Sequence, residues 1–145
     1  MSSSAFNLDL GFSYSKTYKP ANVDYSAMPL LFKDVPTHIK EIARQIISDS
    51  WNIYTVNQSR GYCNHDAKLI TIPIWCMNTR HGIGYKIWYI SHELSHVFTR
   101  GDNHGAKFMN KLIEICPDEF IHYELGYKPR NAKAAGIGIA KMLDL

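Results

Sequence analysis

The sequence predicts an α+β domain, on three observations. An amphipathic helical stretch opens the body, three short β-rich segments follow close together, and helical stretches dominate from there to about residue 125. Strands grouped with strands and helices with helices, without regular alternation, is the α+β pattern. With 145 residues, 46% of them hydrophobic and 20% charged, the chain can bury one core and is too apolar to stay disordered.

Each element has a local reason. Residues 1–28 are rich in Ser, Tyr and Asn with only short apolar patches, so they are expected as a loosely ordered N-terminal arm ahead of a single compact domain, 29–145. A helix is expected from about Asp34 to Ser50, with Asp34 or Thr37 as cap and Pro36 in the first turn. Its apolar stripe is Ile39, Ile42, Ala43, Ile46 and Ile47 at helical spacing. Residues 51–58 are rich in β-branched and aromatic side chains and read as a strand. Tyr62–Asn64 starts a second strand, and Lys68–Ile74 is the best strand in the chain, with Pro73 suited to an edge or a strand end. A long helix follows over 85–99, with Gly101 as its stop. The next helix runs over 104–115, with Phe108, Leu112 and Ile115 on its core side, and a third piece covers 118–125. The tail, 131–145, is either a further helix or a frayed end.

Composition excludes several classes. Sixteen Lys and Arg against 13 Asp and Glu give a net charge of +3, too little to establish nucleic-acid binding. No apolar run approaches the roughly 18 residues of a bilayer-spanning helix. The first ten residues lack the basic and apolar regions of a secretory signal. The three cysteines, Cys63, Cys76 and Cys116, cannot all pair and lack zinc-ribbon spacing, so reduced thiols in a cytoplasm are expected.

The chemistry lies in the long helix, which carries His92-Glu93-Leu94-Ser95-His96, an H-E-x-x-H motif. At this composition a chance match has a probability of about 1%. Residues four apart share a helix face, so both imidazoles can reach one ion. Glu93 lies about 100° around the axis, where it can reach a water beside the metal and serve as general base. Apolar Ile87, Ile90, Leu94, Val97 and Phe98 fall on the far side of the helix, and Tyr85, Trp88, Tyr89 and Thr99 join the histidine side, as expected of a helix buried all round. Catalytic zinc takes three protein ligands and keeps an open position. The best third ligand is His104, eight residues past His96, with Gly101 letting the chain reverse and His104 in the first turn of the next helix. Asp102 is either an outer acceptor for a histidine N–H or a plain helix cap. Tyr123, His122, Tyr127 and Arg130 are candidate donors to a developing oxyanion, and spacing singles out none of them. An extended substrate is expected beside the 68–74 strand if that strand is an edge; if it is internal, it is structural only.

The stretch from Gly61 to Tyr127 resembles the SprT-like zinc metallopeptidases. The resemblance rests on His92-Glu-Leu-Ser-His96, on His104-Gly105 with Phe108 soon after, and on Gly61 and Cys63 ahead of the Leu69-Ile-Thr-Ile72 strand. It implies a zincin-like fold, with a small mixed sheet packed on the H-E-x-x-H helix. It also implies one Zn2+ per chain held by His92, His96 and His104, Glu93 as catalytic base, and a protein or peptide substrate. The spacing from His96 to His104 is shorter than in the larger members and resembles that of compact bacterial and viral versions. The cysteine-rich zinc ribbon of some members has no counterpart here. Larger relatives digest proteins crosslinked to DNA, but Lys128, Arg130, Lys133 and Lys141 are sparse. A non-proteolytic zinc-binding assembly or binding protein and a DNA-associated peptidase, with weak DNA association, stand as alternatives to a cytoplasmic endopeptidase.

Overall fold

A computed structural model describes residues 19–77 and 82–127. Three strands form one mixed sheet: β1 (Asn52–Val56), β2 (Cys63–Asn64) and β3 (Leu69–Pro73) in the order β1-β3-β2. β1 runs parallel to β3, with Asn52 opposite Leu69 and Val56 opposite Pro73, and β2 is antiparallel to β3, with Cys63 opposite Ile70. Every residue of β1 and β3 is buried. Because successive side chains point to opposite faces, both faces of this sheet are covered, and the polar Asn52, Thr55 and Thr71 are buried along with the apolar residues.

The 68–74 segment is therefore the central strand, not an edge. Pro73 sits at its last position, where the missing N–H interrupts little of the ladder. The edge beside the helices is β2.

Helix α1 (Thr37–Ser48) buries Ile39, Ala43 and Ile46, with Ile42 and Ile47 partly covered, as the stripe predicts. Its N-cap is Pro36, with no side-chain cap; Asp34 instead takes a left-handed turn at φ 62°. Helix α2 (Gly82–Val97) starts three residues earlier than predicted and ends two earlier. It packs against β3, β2 and α1, and Lys86 through Ser95 are all buried. Its serines, and Thr99 just past its end, bond back onto helix carbonyls: Ser91 donates to the Ile87 carbonyl, Ser95 to Ser91 and Thr99 to Ser95. Phe98, expected inside, is 45% exposed and lies under the Lys111 ammonium. Helices α3 (Ala106–Ile115) and α4 (Tyr123–Tyr127) both pack on α2, with a 3-10 turn at Asp118–Phe120 between them. Among the described residues, no helix is long and apolar enough to cross a membrane.

The described part of the arm, residues 19–28, is hydrogen-bonded to the sheet. The Asp24 N–H donates to the Thr55 carbonyl, the Thr55 hydroxyl to the Asp24 carbonyl, and the Asn57 N–H to the Asn22 carbonyl, with Val23 bridged to Val56. These bonds cover the outer edge of β1, whose backbone groups would otherwise be unpaired. Met28 and Leu31 then enter the core, and the buried Lys86 ammonium donates to the carbonyls of Leu30 and Lys33, tying this segment to α2. Residues 1–18 of the arm and the tail 131–145 lie outside the described residues.

Candidate metal centre

His92 and His96 stand one turn apart on α2, as the motif dictates, with ring centroids 5.0 Å apart. The third imidazole arrives by a tight reversal. Past the end of α2, Gly101 adopts φ 85° and His104 itself φ 66°, with the His104 N–H bonded to the Asp102 carbonyl. His104 thus precedes α3, whose N-cap is Gly105, and does not sit in its first turn as expected. A left-handed conformation in a residue with a Cβ costs roughly 1–3 kcal/mol and persists only where the surroundings impose it.

Asp102 helps impose it. Its Oδ2 accepts the Phe108 N–H at 2.6 Å, so of the two roles open to it the observed one is to cap α3. A Cβ on residue 105 would fall 2.2 Å from Asp102 Oδ1, so the position after His104 has to be glycine for the carboxylate to reach the helix. His104-Gly105 is a packing requirement as much as a motif.

The reversal delivers His104 Nε2 to 3.0 Å from His96 Nε2 and 3.3 Å from His92 Nε2. Zinc–imidazole bonds of 2.0–2.1 Å at a tetrahedral centre put ligand nitrogens about 3.3–3.4 Å apart. Among the described residues these three are the set whose ligand atoms all lie within 4.8 Å of one another. Borderline-soft imidazole nitrogens are the donors zinc takes, so the residues present fit that ion. Phe108 backs the trio, with its ring 4.9 Å from His92, 4.5 Å from His96 and 4.9 Å from His104, and this fixes the rings from one side.

His92 and His104 are 1% and 5% exposed, while His96 is partly open to a cleft of about 340 Å³. Glu93 lines the same cleft, together with Gly61, Cys63 and His65. It is 2% exposed, and its Oε2 lies 3.1 Å from where a Cβ of residue 61 would be. The Gly61 N–H donates to the Tyr89 hydroxyl at 2.8 Å, holding the chain against the Glu93 side of α2. Cys63 is a bystander thiol: burial first, and then the Glu93 charge, push it up to about 12, so it is neutral near pH 7.

Three further residues contribute, and of these Glu124 and His65 carry no spacing signal. Glu124 on α4 accepts from His92 Nδ1 at 2.7 Å and from the Trp88 indole N–H at 3.0 Å, both at Oε1. Burial opposes its ionisation, but the neighbouring His92, the Trp88 N–H and His104 outweigh it and lower the carboxyl below its ordinary value. His65 Nε2–H donates to the His96 carbonyl at 2.7 Å and fastens the turn after β2 to the end of α2. The Tyr89 hydroxyl holds Gly61. Of the expected oxyanion donors, Tyr123 packs against Tyr85 and Trp88, and His122 stacks on Tyr123 on the surface. Neither is among the described residues lining the cleft. The Tyr127 side chain and Arg130 lie outside the described residues.

No protein-family model, no curated protein and no solved structure matches this chain. Its three-histidine cluster, on a small α+β fold with a three-stranded mixed sheet, is a site capable of coordinating a metal ion.

Proposed function

We propose that this chain is a zinc-dependent endopeptidase of the SprT-like, zincin-like kind, with His92, His96 and His104 as the ligands of one Zn2+ and Glu93 as general base. One observation carries the reading: three imidazole nitrogens converge at ligand spacing in a cleft whose wall also holds a buried carboxylate. When bound, zinc supplies Lewis acidity that polarises a peptide carbonyl and acidifies water. Glu93 takes a proton from the attacking water and hands it to the leaving amine. Burial keeps bulk water from competing for that proton and strengthens the charge at the reacting centre. Substrate is an extended protein or peptide segment, favoured by edge strand β2, whose chain from Gly61 to Cys63 runs along the cleft. We place the activity in a cytoplasm, in keeping with cysteines that are free in the structure.

The test is Glu93→Gln, which keeps the shape and removes the base. Zinc content should stay near one per chain, while hydrolysis of an unfolded protein falls by about 10²–10⁴. A variant as active as the parent would remove Glu93 from the mechanism. A parent that binds zinc and turns over no peptide would favour the non-proteolytic zinc-binding role instead.

A further inference from the structure

We infer that Glu124 is the positioning residue of the metal centre: it fixes the tautomer and orientation of His92 so that a bare Nε2 faces the other two imidazoles. The inference rests on the zinc reading, but its first observable needs no metal.

A neutral imidazole carries its proton on one nitrogen only, and a metal ligand must be the other. His92 has two ways to go wrong in a buried site. It can carry the proton on Nε2, aimed at His104 Nε2 3.3 Å away, or it can rotate. Glu124 removes both options. A carboxylate only accepts, so the hydrogen bond at 2.7 Å requires the proton on Nδ1. The Trp88 indole can only donate, and its bond to the same oxygen holds the carboxylate in place. His92 and Glu124 are 1% and 2% exposed, so water does not substitute for either partner.

The geometry also gives α4 a purpose. This helix spans only Tyr123–Tyr127, and through Glu124 it reaches across to the first histidine of a motif 32 residues earlier. The anionic partner also makes the facing Nε2 a better electron donor, and loss of such outer carboxylates lowers metal affinity about 10–100-fold.

The experiment uses the full chain with labelled histidines. In the metal-free parent, two-bond proton–nitrogen spectra should show His92 as the Nδ1–H tautomer; an Nε2–H tautomer overturns the inference. Zinc competition titrations then compare the parent with Glu124→Gln, which keeps size and the Trp88 contact but loses the charge. The expected result is a zinc dissociation constant raised about 10–100-fold, with an altered visible spectrum of the cobalt form. An unchanged constant in a variant that folds overturns it. A parent that holds the Nδ1–H tautomer yet takes up no zinc refutes the metal centre itself, and the inference falls with it. Because the tautomer is read on the unaltered chain, a variant that fails to fold does not remove the test.

Discussion

Gly61→Ala is the substitution that best separates the fold of the cleft from its metal ligands. A Cβ there would lie 2.2 Å from the Thr71 carbonyl oxygen and 3.1 Å from both Glu93 Oε2 and Tyr89 Cε1. Comfortable carbon contacts need about 3.5 Å, so something must move by roughly 1 Å. Thr71 belongs to the central strand, held by β1 on one side and β2 on the other, so the Gly61 segment is what yields. Its movement strains the Gly61–Tyr89 bond at 2.8 Å, the bond from the Tyr62 N–H to the Thr71 hydroxyl at 2.9 Å, and that from the Thr71 N–H to the Tyr62 carbonyl at 2.9 Å. Overpacking costs about 1–3 kcal/mol, and one or two weakened hydrogen bonds add about 0.5–1.5 kcal/mol each. Alanine returns about 0.4–1 kcal/mol by restricting the unfolded chain. The net expectation is a loss of about 2–3 kcal/mol in urea unfolding with the m-value unchanged. No zinc ligand comes from this segment, so zinc affinity should stay within about threefold of the parent, while peptide hydrolysis falls as the cleft wall beside Glu93 shifts. A stability loss below about 0.5 kcal/mol, the range of an inert surface change, would refute the close approach. Zinc affinity falling in step with stability would refute the separation of the two.

Two further outcomes are expected. Phe108→Ala removes the ring that backs all three imidazoles; unfolding should show a loss of about 3–5 kcal/mol, and calorimetric zinc titration of the folded fraction should show weaker binding, with Phe108→Leu intermediate in both. Cys116 is 3% exposed, and burial, partly offset by a hydrogen bond with Ser91 and reinforced by acidic neighbours, pushes its thiol from the ordinary 9.0 up to about 12. A raised folded value means the unfolded thiol ionises first, so stability is full below pH 9 and declines between 9 and 12. At pH 10 the decline should be on the order of 1 kcal/mol, measured against Cys116→Ala, whose profile over the same window should be flatter by that amount.

Periodicity alone determined which side chains meet. The 3.6-residue repeat stacks His92 over His96, β-branched and aromatic side chains mark the strands at 52–56 and 69–73, and the isoleucines of α1 mark its buried stripe. These features are local, because the backbone geometry of one element sets them whatever packs against it. His104 was legible only as a residue type at a plausible distance past a glycine; that it precedes α3, in a left-handed conformation under an Asp102 cap, depends on how α2 and α3 meet. Whether residues 68–74 form an edge or lie inside the sheet stayed open in the sequence, and the tertiary structure puts them inside with β2 at the edge, because strand order is a choice among pairings that each segment allows equally. Glu124 was invisible for the same reason. A carboxylate 32 residues beyond His92 has no periodic relation to it, and only the packing of α4 on α2 brings the two within 2.7 Å. Short-range sterics write the helix and its pair of imidazoles into the chain, whereas the third imidazole, the buried carboxylates and the cleft between them exist only once distant segments exclude water together.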